Sequence, residues 1–168
     1  MAQIVTAPEP RLGARILSVA ECADAVLLML KSASLSKPFN SVREWLPRFD
    51  LADLGDAVKV IVTAGDGYVT TRLARDLWQR EPQVRIVVCA RLGEEPYDDE
   101  IDGLMAFVEE IRDLLSYSQL PDAETWKGQR RPALRAVLIE NEPVLATDTL
   151  EQMRQFTSVL TVTFRVME

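Results

Sequence analysis

The chain has 168 residues, 48% hydrophobic and 27% charged, a balance that supports one globular domain with a buried core and excludes wholesale disorder. With 19 basic against 26 acidic residues the formal charge is −7, which argues against a general nucleic-acid binder, because such affinity comes largely from neutralising phosphates. The longest apolar run, AVLLML at 25–30, is too short to span a bilayer, and the opening MAQIVTAPEPRLGAR lacks the charged region and apolar stretch of a secretory signal.

Residues 1–13 carry Pro8, Pro10 and Gly13 without periodicity and read as a flexible N-terminal arm, leaving 14–168 as a single domain. From Arg15 to Lys31 the residues Ile16, Val19, Ala20, Ala23, Val26, Leu27 and Leu30 recur at helical spacing, which predicts an amphipathic helix ended by the Ser-rich KSASLSKPF. NSVREWLPRFD predicts a short strand that stops before Pro47, since proline cannot donate to a ladder. DLADLGD predicts a helical turn capped by Asp50 and ended by Gly55.

AVKVIVTAGDGYVTTRLARD has the form of strand, turn and strand. Asp66-Gly67 is a favoured two-residue hairpin turn, because glycine tolerates positive φ. LWQREPQ then reads as a connection, and VRIVVCARL as a strand apolar at nearly every position and so central in its sheet. A second helix is expected from about Asp98 to Ser116, with Ile101, Leu104, Met105, Val108, Ile111 and Leu115 as its buried stripe and Pro121 closing it. WKGQRRP reads as a basic loop, ALRAVLIENEP as a strand and TDTLEQMRQ as a short capped helix.

The stretch FTSVLTVTFRV predicts a long strand with two unlike faces. Phe156, Ser158, Leu160, Val162, Phe164 and Val166 form a face that can cover a core; Thr157, Val159, Thr161, Thr163 and Arg165 form the other. That second face is neither a second core nor an ordinary charged surface, so water or another protein should meet it. The sum is an α+β domain: a mainly antiparallel or mixed sheet of about five strands with two long helices packed on one face.

Little in the chain points to chemistry. It contains no histidine, the commonest general base and neutral metal ligand. Neither GxxxxGK[ST] nor GxGxxG occurs, and neither G-x-S-x-G nor S-x-x-K. Asp98, Asp99, Glu100 and Asp102 lack the spaced ligands and the glycine of a calcium loop, and acids at a helix start need no metal, so the helix dipole accounts for them. Cys22 and Cys89 both sit among apolar neighbours, as buried free thiols of a chain made in a reducing compartment do. The expectation is a protein that is not an enzyme, with no cofactor and no metal. Two features are left for interaction: the second face of the last strand, and the cluster Trp126, Lys127, Arg130, Arg131 and Arg135, of the residue types favoured at interface hot spots.

VREWLPRFDLADL (42–54), LMAFVEEI (104–111) and LEQMRQFTSVLTVTFR (150–165) resemble the tail-terminator or tail-completion proteins of long-tailed bacteriophages. The resemblance implies a virion protein made in the host bacterial cytoplasm and forming a ring, typically of six subunits, at the head-proximal end of the tail tube. Such a ring stops tube polymerisation and joins the tail to the head connector or neck protein. DNA would pass through the lumen without sequence-specific binding, and no membrane is involved. Thr157, Thr161, Thr163 and Arg165 would then face a neighbour or the lumen, and the 1–13 arm and the loop bearing Trp126, Lys127, Arg130, Arg131 and Arg135 would make contacts between rings. The family has no catalytic residues to carry over. A neck or head-completion protein of the connector, and a small cytoplasmic ligand-binding domain, are the alternatives.

Overall fold

The computed structural model describes residues 18–47, 54–64, 67–75, 77–94, 97–120 and 133–166. The expected N-terminal arm, Asp50, Asp66, Pro121 and the basic loop 126–131 lie outside the described residues.

The fold is α+β, built on a mixed sheet. Along its path the strands are β1 (Phe39–Arg43), β2 (Val58–Thr63), β4 (Leu77–Arg91), β7 (Gln155–Val166), β6 (Leu134–Asn141) and β5 (Gln119–Leu120), with β3 (Tyr68–Ala74) attached to β4 off that path. Only β1 and β2 run parallel; the other neighbours are antiparallel. The described residues therefore form seven strands rather than about five. They also form three helices: α1 (Val19–Ser32), α2 (Asp98–Tyr117) and the short α3 (Thr147–Met153).

α1 starts at Val19, not at Arg15. Ser18 is extended (φ −64°, ψ 157°), and its hydroxyl accepts from the Glu21 N–H while the Glu21 carboxylate accepts from the Ser18 N–H. This reciprocal capping box satisfies two orphan amides and sets the boundary, whereas apolar spacing alone carries on past it. α2 matches its expected span and begins on three acids, Asp98, Asp99 and Glu100, which complement the positive end of its dipole.

One face of the sheet carries the main core. Val58, Val60 and Val62 of β2, Val84, Ile86 and Val88 of β4, and Phe156, Leu160, Val162 and Phe164 of β7 point to it. Cys22, Val26 and Leu30 of α1 and Leu104, Phe107, Val108, Ile111 and Leu115 of α2 close over it. Both long helices thus pack on the same face, as expected. The opposite face has a small apolar cluster of its own: Leu54, Ile61, Val87 and Cys89, with Val42 and Val159 against it.

The expected hairpin across Asp66-Gly67 does not form. Gly67 does have positive φ (+95°), but β2 and β3 do not pair with each other. They lie end to end along the same edge of β4: β2 pairs with Arg85–Cys89 and β3 with Leu77–Pro82. The true hairpin is β3–β4, and LWQREPQ is not a connection but the first half of a 15-residue strand. Pro82 marks the change of neighbours. Pairing to β7 begins just after it, at Gln83, and the Gln83 N–H donates to the Gly67 carbonyl at 3.0 Å.

Candidate functional site: exposed surfaces for assembly

The final strand has the two faces its alternation predicts, but the second is less open than expected. Thr157 and Thr163 are only 5% and 2% exposed within the chain itself. Thr157 lies opposite Cys89 and accepts from the Gln155 amide at 3.1 Å; Thr163 accepts from the Gln83 amide at 3.2 Å. Their place at a lumen or neighbour is therefore corrected: neighbouring strands and side chains already cover them. Of that row Thr161 is half-buried and Arg165 reaches solvent, where its guanidinium donates to the nearly buried carboxylate of Glu81.

Arg135 is the one member of the basic cluster among the described residues. It is exposed on β6, directly opposite Arg165, and the Gln119 amide, turned with its oxygen toward the guanidinium, accepts from it. Trp126, Lys127, Arg130 and Arg131 lie outside the described residues. Nearby on β6, Val137 and Leu138 are 42% and 50% exposed, beside the register shift between Ala136 and Leu138.

The most open surface is one that sequence reasoning did not single out. All seven residues of β3 are exposed, among them Tyr68, Val69 and Leu73, and β3 packs extensively on β4 alone. Together with Leu77–Glu81 it forms a two-stranded arm running past the end of the helix-covered sheet. At its base the Val19 N–H donates to the Tyr68 hydroxyl, tying the arm to the start of α1. At its tip the Arg72 guanidinium donates to the carbonyls of Ala74 and Arg75, which stiffens the turn. The available signal was the β-favouring composition of YVTTRLA, whose adjacent pairs Tyr68-Val69 and Leu73-Ala74 put apolar residues on both faces of a strand; the Asp-Gly turn drew attention to the wrong partner.

At the other end of β4 an open cleft of about 890 Å³ lies between the starts of β1, β2 and β7 and the N-terminus of α2. It is lined by charges of both signs, Lys37, Asp56, Arg91, Glu94, Glu100 and Arg154. Glu100 accepts from the Gly93 N–H at 3.0 Å, and a Cβ on Gly93 would come within 2.8 Å of that carboxylate, so this acid closes a loop onto the helix. Among the described residues no three acidic or cysteine side chains gather closely enough to hold a metal ion. No described helix is long and apolar enough to cross a membrane.

The two thiols are packed for stability rather than reactivity. Burial pushes Cys22 up to about 12 and Cys89 up to about 11, the latter despite the hydrogen bonds of Thr157 and Gln155, which lower it. Glu110, by contrast, is held below the usual carboxylate range by hydrogen bonds from the side chain and backbone N–H of Ser36, the latter at 2.8 Å. That bond ties the segment after α1 to α2.

No protein-family model matches this chain, and no curated protein is similar to it.

Proposed function

We propose that this chain is a virion assembly protein of the tail-terminator kind, a protomer that closes into a ring and caps the tail tube. The observation that carries the reading is the β3–β4 arm. A ribbon whose outer strand, β3, is exposed along its whole length is marginal in water and gains stability when something covers it. Tyr68, Val69 and Leu73 offer that partner apolar surface, and among the described residues no strand pairs with the outer edge of β3. The likeness of 42–54, 104–111 and 150–165 to phage tail-completion proteins supplies the partner class: copies of itself, the tail tube protein and the head connector.

The mechanism is geometric. Head-to-tail contacts between identical subunits close into a ring when the rotation permits. One face of the ring seats on the last tube ring; the other differs from it, so further tube subunits find no matching surface. A surface with net charge −7 lets DNA slide through the opening without adhering. Native mass spectrometry of the protein, alone and with tail tube protein, tests the reading. A closed ring, expected to be six-membered, supports it; a monomer indifferent to tube protein overturns it.

A second reading, a small ligand-binding domain, is favoured by the charged cleft at the far end of β4. A small charged molecule that raises the Tm of the monomer would support it.

A further inference from the structure

We infer that the β3–β4 arm of one copy docks along the acidic outer stripe of α2 on the next copy. This rests on the ring reading and names the contact that would build the ring.

Charge complementarity is the first argument. The arm is basic: Arg72, Arg75 and Arg80 are exposed on it, and its one described acid, Glu81, is nearly buried and already paired with Arg165. Arg75 and Arg80 have no ion-pair partner among the described residues. α2 is the converse. Asp98, Asp102, Glu109 and Asp113 are all exposed and fall on one side of the helix by their spacing, with Arg112 the only base in the helix. Arg112 is spent on Glu109 at 3.2 Å.

Dimensions agree as well. The seven residues of β3 span about 23 Å at about 3.3 Å per residue. The stripe from Asp98 to Asp113 spans about 22 Å at about 1.5 Å per residue. Apolar surface is matched too: exposed Ala106 lies within the stripe and leaves room for Val69 or Leu73, and Tyr117, 89% exposed, closes its C-terminal end.

Placement keeps the start of the stripe out of reach of its own arm, although the C-terminal end of α2 leads through β5 and β6 back to Arg165 at the base of the arm. The arm starts β4, whereas α2 starts beyond the other end of β4, roughly 45 Å away along that strand. An arm at one end and the start of its complement at the other is the arrangement of a head-to-tail contact, which repeats from copy to copy and can close.

Charge reversal in pairs tests this. Arg75→Glu with Arg80→Glu is made in one chain, and Asp102→Lys with Asp113→Lys in another. All four side chains are exposed and none of them takes part in the capping box or the Glu109–Arg112 pair, so both variants should keep the wild-type Tm within a few degrees. Native mass spectrometry should show rings for wild type and a loss of ring of at least tenfold for each variant alone. An equimolar mixture should recover even-membered rings in which the two variants alternate, because each reversed arm then meets a reversed helix. If either folded variant forms rings alone as wild type does, or the mixture fails to recover them, the arm does not dock on α2, while the ring reading stands on the wild-type result. A wild type that stays monomeric with and without tail tube protein overturns both.

Discussion

The two halves of β4 are one strand with two fates. From Val84 to Ala90 every residue but Arg85 is buried, between β2 on one side and β7 on the other, with helices over one face. From Leu77 to Glu81 the strand pairs with β3, a strand exposed along its whole length. Strand formation is the same in both halves; what differs is the cover. The half from Val84 to Ala90 holds the fold together, and the half paired with β3 projects a surface that the fold itself does not need.

The largest test of that contrast is Ile86→Ala in the covered half. Ile86 is fully buried beneath the helices, so removing it should cost about 2–5 kcal/mol, read as a lower urea midpoint at unchanged m-value. A loss under 1 kcal/mol would mean that this half is not the core.

The thiols give a pH test of the same region. A thiol whose folded pKa is raised stays neutral in the native state but ionises when unfolded. Its stabilisation is therefore complete below the unfolded value of about 8.5 and lost as pH climbs toward the folded value. With Cys89 at about 11 and Cys22 at about 12, stability should fall between pH 9 and 11. A variant with both cysteines changed to alanine should lose less over that window. Equal slopes for the two proteins would show that the thiols are not insulated from solvent.

At the junction of the halves stands the Glu81–Arg165 pair. Because Arg165 is half exposed, solvent screens much of the attraction, and Glu81→Ala should cost on the order of 1 kcal/mol. Equilibrium unfolding measures it, and an Arg165→Ala background should remove most of the effect. The smallest change in stability is expected in the arm. Leu73→Ser should stay within about 0.5 kcal/mol of wild type, since Leu73 is 56% exposed, yet it should weaken ring formation in native mass spectrometry. A large loss of stability there would erase the distinction between the halves.

Several elements were readable from local patterns because local physics decides them. The period of 3.6 in α2 and the acids at its start place that helix within a residue of its observed ends. The alternation in 155–166 anticipates which side of β7 enters the main core. The centrality of VRIVVCARL follows from its being apolar on both faces, and the structure supplies both cores. The arm was not readable. Asp66-Gly67 scores as a hairpin by its own residues, but whether β2 pairs with β3 or both pair with β4 depends on a strand 15 residues long whose reach extends to both. Pro82 hid that continuity, since proline inside a strand normally argues for its end.

The same division holds for the candidate surfaces. Thr157 and Thr163 looked open because alternation reports which face a side chain takes and nothing about what lies beyond it. By itself the sequence determined the α+β class, the two long helices, the acidic start of α2 and the two-faced last strand, all set by contacts within a few residues; the expected cap of α3 is not formed, and the capping box of α1 was not read. Only the tertiary structure decided that β2 and β3 share one edge of β4, that two of the four expected threonine and arginine positions are covered, and that a basic arm and an acidic helix start from opposite ends of the sheet. Those outcomes depend on which distant strands meet, and the free energy of such pairing belongs to two segments at once, so neither segment read alone contains it.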